Sequence, residues 1–385
     1  MSSSESPKVS ASLPPKKPEI DRYDLVIVGE VGDWTPLLAG YAAGLQGLNV
    51  KTILSETRRQ SPFAVSHVGN GEIRENARLI LGDDLANRLW SFSLANRERL
   101  SSLAREVSIL DESGPLLWFA HGEREKKLAK ASTGNYAELS SLADLLKQNE
   151  LVFDSILKEP ATLIDNVSWT KTLSSCQPPA THCRRVLSIE RQKTMESRIV
   201  IEGEGGFSEL SASLVVILSE SIPSELFPSL RDKLIPVTLS SFEYQTTQKM
   251  PNMTYALFHM GADFSVKKGQ RCFLGSFRNL FEDKAVGIHN KVDPRTKEGV
   301  KWYFASLGWI DEQEEPRPYV DVHAITCDGL PLVGSLPEHP GVYVVAGFAA
   351  RRENYIFEVV HVLVNAIAGK ADFDPLSPFS TKRFL

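Results

Sequence analysis

The sequence predicts an α/β protein in which a parallel-sheet domain, assembled from both ends of the chain, carries an inserted antiparallel sheet. Three observations predict it: an apolar run, Gly29 and a helix near the amino end; short interrupted β runs in the middle; and a return to apolar strand, Gly347 and helix at the carboxyl end. The first run, Tyr23 to Val28, is continuously apolar after Asp24, the pattern of a strand buried on both faces of a parallel sheet. A helix follows, with Thr35 as its expected cap, Pro36 in its first turn, and Leu37, Leu38, Tyr41, Ala42, Leu45 and Leu48 along one face. After Gly47 a second strand, Val50 to Leu54, ends at Ser55-Glu56, which completes a βαβ unit with a right-handed crossover.

Residues 76–107 and 137–150 carry helical periodicity. From Arg185 the texture is β: 186–190, 198–202, a Gly203-Glu204-Gly205-Gly206 turn, and a buried run over 213–218. Runs at 237–244, 254–259 and 271–277, the last preceded by the Lys268-Gly269 turn, predict an antiparallel sheet. The strand Val342 to Ala346, the Gly347 turn and a helix over 356–368 with a Gly369-Lys370 stop close the chain.

Composition excludes several classes. The 385 residues are 42% hydrophobic and 24% charged, with a net charge of -5 and a pI near 6.0, so no basic surplus exists to hold nucleic acid or an anionic membrane. The four cysteines, Cys176, Cys183, Cys272 and Cys327, form no C-x-x-C pair, and the eight histidines lack metal-ligand spacing; neither a disulfide framework nor a metal site is indicated. Without a long apolar run or a secretory pattern, a cytoplasmic protein is expected.

The turn after the first strand bears on ligands. A dinucleotide diphosphate binds where unpaired N–H groups and the helix dipole meet it, and glycines let it come close. The usual G-x-G-x-x-G is here Gly29-Glu30-Val31-Gly32-Asp33-Trp34: Gly29 fits the first position, Val31 fills the second and Trp34 the third, and Glu30 and Asp33 add negative charge. Glu56, 27 positions after Gly29, is placed for ribose hydroxyls, or else is a solvated strand end.

With Glu56-Thr57-Arg58, Ser66-His67-Val68-Gly69-Asn70-Gly71 and, above all, Thr326-Cys327-Asp328-Gly329-Leu330-Pro331-Leu332-Val333-Gly334 followed by Pro337 to Gly347, the chain resembles the D-amino-acid-oxidase superfamily of FAD-dependent oxidoreductases. The resemblance implies a Rossmann-like FAD/NAD(P)-binding domain over 22–90, 151–222 and 318–385 and a substrate or cap domain over 91–150 and 223–317, while residues 1–21, rich in Ser, Pro and Lys, read by composition as a disordered tail. It also implies FAD as cofactor and oxidation of a C–N bond in a small amine or amino-acid-like substrate.

By matching position, Gly29, Val31, Gly32, Glu56 and Thr57 would meet the dinucleotide. Ser66, His67, Gly69, Asn70 and Gly71, and Gly347, Phe348, Ala349, Ala350 and Arg351, would border the flavin, while His323 and Tyr319 are the catalytic or substrate-cavity candidates. His323 stands where glycine-oxidase-like members carry a carboxylate-binding Arg, and Ser219-Glu220 stands where the family has an Ala-x-Gly turn. The departures keep open a flavin-free pseudoenzyme serving as a binding or scaffold protein. A further alternative, an oxidase like those that modify the wobble uridine of transfer RNA, rests on Gly347 to Arg351 and Pro378 to Arg383; its partner methyltransferase domain is absent, and an RNA binder is expected to be more basic.

Overall fold

The computed structural model describes residues 21–56, 62–68, 74–109, 112–120, 122–131, 155–250, 255–258, 263–275, 286–287, 291–349 and 351–384. The 137–150 helical expectation and the amino-terminal tail up to residue 20 lie outside these residues.

The described residues form two eight-stranded sheets. The strands in chain order are β1 Asp21–Glu30, β2 Val50–Ser55, β3 Phe63–His67, β4 Glu112–Ala120, β5 Ser155–Asp165, β6 Thr181–Cys183, β7 Arg185–Arg191, β8 Ser197–Gly203, β9 Gly206–Leu218, β10 Ile235–Gln245, β11 Tyr255–Phe258, β12 Asp263–Lys268, β13 Arg271–Gly275, β14 Arg317–Ile325, β15 Leu332–Leu336 and β16 His339–Ala346. The helices are α1 Thr35–Leu45, α2 Arg74–Leu81, α3 Asp83–Glu106, α4 Gly122–Ala131, α5 Asn166–Ser175, α6 Ile222–Leu226, α7 Pro294–Ser306 and α8 Ile356–Ile367.

The first sheet runs β15-β16-β9-β1-β2-β6, with β7 and β8 joined to it through β9. Its centre is parallel: β1 pairs with β2 and β9, and β9 with β16. Leu25 to Val28 are fully buried because both faces are covered, on one side by α1, α3, α5 and α8 and on the other by β7, β8 and the segment after β9. The expected βαβ unit and the Gly203–Gly206 hairpin are present. The start of α1 differs from expectation: Trp34 is the N-cap and makes no side-chain cap bond, Thr35 is the first helical residue, and Asp33 Oδ1 accepts the Thr35 N–H at 2.9 Å.

The second sheet runs β14-β10-β13-β12-β11-β4-β5-β3. It is antiparallel except where β11 lies parallel to β4. Its strands β3, β5 and β14 come from segments expected in the first domain, so the chain crosses between sheets more often than the domain ranges anticipate. Conversely α3, most of which falls in the expected cap, buries Leu89, Leu100 and Ala104 in the core of the first sheet beside α8. Helix α7 covers the outer face of the second sheet, where Val300, Tyr303 and Phe304 pack on Phe242, Tyr244 and Leu274. The inner face, carrying Phe63, Leu163, Val266, Phe273 and Tyr319, turns toward the carboxyl ends of β1, β9 and β16. Ligands of open α/β sheets bind at those strand ends.

Among the described residues no helix is long and apolar enough to cross a membrane.

Candidate functional site

Two strand ends of the first sheet deliver three acidic side chains to one place. Glu30 closes β1, Asp33 lies in the turn to α1, and Glu220 follows β9; their relative exposures are 7%, 2% and 6%. Buried carboxyls need partners, and each has them. Glu30 Oε1 accepts from the Ser219 and Ser221 hydroxyls at 2.5 and 2.6 Å. Asp33 Oδ1 accepts from the Thr35 N–H and hydroxyl, and Asp33 Oδ2 from Arg352 Nη1 at 2.7 Å. Glu220 Oε2 accepts backbone N–H groups of Ala324 and Gly347 at 3.0 and 2.9 Å. Arg352 also meets Glu353 Oε1 at 3.1 Å.

The electrostatics follow from this burial. Loss of water pushes Glu220 up to about 7, against the pull of Arg352 and of the backbone donors. Burial likewise raises Asp33, outweighing Arg352 and Thr35. Burial acts to lower Arg352, but Asp33, Glu353 and Glu220 together hold it above its ordinary value.

The dinucleotide signature can now be read in space. Gly29 is required for packing: a Cβ there would meet Pro36 Cγ at 2.0 Å, so this glycine lets α1 start close to β1. Gly32 has a φ of +87° and shapes the turn. Val31 is half-buried against the core. Trp34, at the third glycine position, is wholly buried, stacks on Phe357 with ring centroids 5.0 Å apart, and donates from Nε1 to Asn166 Oδ1 at 2.9 Å. It therefore fills the gap between α1, α5 and α8 and sets the helix on an aromatic spacer.

Among the flavin-side candidates, Gly347 has a φ of +80° and its N–H is taken by Glu220, while Phe348 is buried. Ala349 sits at a φ of +51° with its N–H on Ala324 O, and Arg351 is half-buried. Ser66 and His67 lie at the end of β3 and are buried. The His67 N–H and Nε2 both face Asn354, and burial lowers His67 to about 4. Glu56 is exposed at the end of β2. Thr57, Gly69, Asn70, Gly71 and Ala350 lie outside the described residues. Tyr319 packs in the second sheet and donates to Glu243 Oε2 at 2.7 Å, whereas His323 borders the cavity between the sheets.

That cavity measures about 120 Å³ and lies between the inner face of the second sheet and the acidic strand ends. Phe63, Val65, Tyr255, Phe264 and Val266 form its apolar wall, and Leu239, Ser241, Asp321 and His323 come from β10 and β14. Ser241, Asp321 and Glu353 are polar lining residues that sequence reasoning did not assign to a site. The alternation of β10 and β14 marks which of their residues share a face, but not that this face looks onto Glu30 and Arg352.

No protein-family model matches the chain, and no curated protein matches it. Solved structures do. Glycine oxidase from Geobacillus kaustophilus is 17% identical with a TM-score of 0.68, covering 95% of this chain and 100% of its own. The fold is of the D-amino-acid-oxidase type. L-proline dehydrogenase from P. horikoshii (12% identity, TM-score 0.69, 95% and 98% covered) and iminodiacetate oxidase from Chelativorans sp. BNC1 (16%, 0.66, 92% and 98%) share it. At these identities the likeness is one of architecture, and it extends over both sheets.

An FAD diphosphate does not fit the described residues as they stand. At the start of α1 the N–H of Thr35 is bonded to Asp33, and the N–H groups of Gly347 and Ala324 are bonded to Glu220, so a diphosphate placed on these donors has to displace a carboxylate. A phosphate about 4 Å from any one of these carboxylates meets a repulsion of about 4 kcal/mol at an effective dielectric of 20. The cavity of about 120 Å³ is also below the roughly 300 to 1,000 Å³ of pockets that enclose drug-sized ligands.

Proposed function

We propose that this chain uses the D-amino-acid-oxidase fold without flavin, as a binding protein whose ligand lies between the two sheets. The observation that carries the reading is that the protein's own carboxylates, Asp33 and Glu220, take the backbone donors a dinucleotide diphosphate needs, with Arg352 as their internal counter-ion. An internal carboxylate is always present and already desolvated. A diphosphate has to displace it and then find Glu30 and Asp33 beside it.

A second reading is favoured by the fold. The amino-acid oxidases and dehydrogenases that the chain resembles match it over nearly its whole length, which supports an FAD-dependent oxidoreductase acting on a C–N bond of a small amine or amino-acid-like substrate. One experiment separates the two. Protein purified from a flavin-replete host is colourless under the first reading, and FAD leaves its melting temperature unchanged. Under the second it shows the flavin absorbance in the blue, and FAD at 100 times its dissociation constant adds about 2.7 kcal/mol of stability.

A further inference from the structure

We propose that the outer ridge of α3, with the apolar groove beside it, is the surface through which two copies of this chain pair about a two-fold axis. The inference lies outside the cavity between the sheets and holds under either reading of that cavity.

Self-complementary charge is the first argument. One side of α3 buries Leu89, Leu100 and Ala104 in the core of the first sheet, and the opposite side shows Glu98, Ser102 and Arg105 to solvent. Glu98 and Arg105 are seven positions apart, which sets them two turns, about 10.5 Å, apart along one line of the helix. Arg99 and Glu106 repeat that spacing with the signs exchanged. A two-fold axis near Ser102 that runs α3 antiparallel to its copy brings Glu98 against the Arg105 of the other copy and Arg99 against its Glu106, and each contact then occurs twice. A parallel pairing in register sets like charge against like, so the pattern selects one direction.

These charges are largely unspent within the chain. Glu98 has no hydrogen-bond or ion-pair partner among the described residues. Arg105 donates only from Nε, to the Ser101 carbonyl at 3.1 Å, and Arg99 only from Nε, to Glu358 at 2.6 Å. Glu106 accepts the Tyr41 hydroxyl at 2.5 Å.

The apolar surface beside the ridge is an independent observation. Helix α1 carries apolar residues on every side, a composition that belongs inside a protein, yet Leu45 is 61% exposed. Leu38, Ala42 and Leu45 of α1 face Leu103 of α3 and Phe357 and Val360 of α8 across a groove of about 130 Å³. The bond between Tyr41 and Glu106 bridges its walls, so the groove admits side chains and not a whole helix. Arg99, Ser102 and Glu106 border the same groove, so a helix laid along the ridge also covers its mouth. Small side chains at Ser101 and Ser102 let the two helices approach closely at the crossing, and Leu94, 43% exposed, continues the ridge one turn further.

The test follows the mass of the full chain by sedimentation velocity over a wide concentration range, at low and high salt. The expected result is a monomer–dimer equilibrium that shifts toward monomer as salt screens the ion pairs. Glu98→Lys and Arg105→Glu each turn two attractive contacts into repulsive ones and should weaken the dimer about tenfold or more. Two recoveries identify the contact. The double variant Glu98→Lys with Arg105→Glu should restore the dimer, and an equimolar mixture of the two single variants should form dimers that neither forms alone. A chain that stays monomeric at every concentration, a dimer indifferent to both single variants, or failure of either recovery overturns the proposal.

Discussion

Replacing Arg352 with methionine tests the internal counter-ion directly. The Arg352 side chain is 11% exposed and that of Asp33 2%, and their 2.7 Å contact is accompanied by the 3.1 Å contact to Glu353. Removing one member of a buried pair leaves an uncompensated charge and typically costs about 3 to 5 kcal/mol. Asp33 has a way to relieve that cost, because burial already raises its carboxyl and loss of Arg352 raises it further. The full loss is therefore expected at pH 8, where Asp33 must stay charged or be protonated at a cost, and a smaller loss at pH 5. Urea unfolding of Arg352→Met at the two pH values, with unchanged m, measures both quantities. Adding Asp33→Asn should recover most of the loss at pH 8 and little at pH 5, since the residues are in contact and their effects do not add. A loss below about 1 kcal/mol at pH 8, or a double variant no more stable than Arg352→Met, refutes the counter-ion role.

Glu220 predicts a pH slope: a carboxyl lifted from 4.5 to about 7 stabilises the fold most when protonated, so about 3 kcal/mol is lost as pH rises from 4.5 through 7. His67, lowered from 6.5 to about 4, acts in the opposite sense between those values, so the two nearly offset each other below pH 6.5, a decline of under about 1 kcal/mol remains as pH rises from 6.5 through 7, and stability is level above. Glu220→Gln should remove the decline in denaturant unfolding, and an unchanged slope would show that the charge lies elsewhere. Trp34→Ala empties a site with 0% exposure between Trp169 and Phe357 and should cost about 3 to 5 kcal/mol; a loss under 1 kcal/mol would mean the spacer role is wrong.

Much of the architecture could be read from the residues because it is written locally. Leu25 to Val28 show a doubly buried strand without reference to any other segment, and Gly203 to Gly206 announce a hairpin. The sheet membership of β3, β5 and β14 is not local: alternation says that a strand is half-buried, not which sheet buries it. At the site, Glu30, Asp33 and Glu220 stood out as charges where glycine or an open backbone belongs. Their partners did not stand out. Arg352 lies 319 positions from Asp33 and Ser219 lies 189 from Glu30, and no spacing rule links such pairs. Thr35 looks like a cap in sequence, yet its hydroxyl and N–H both serve Asp33, because a carboxylate two residues earlier reaches the same donors.

The separation of Asp33 from Arg352 also orders events in time. During synthesis at about 5 to 20 residues per second, a ribosome needs roughly 15 to 60 s to add the 319 residues between them. Through that interval β1 and α1 can form, but docking them firmly would seal an acid without its base. Firm closure of the amino-terminal unit is therefore expected only after Arg352 has emerged, and a chain cut short before residue 352 should be more open to proteases around Asp33 than the full chain.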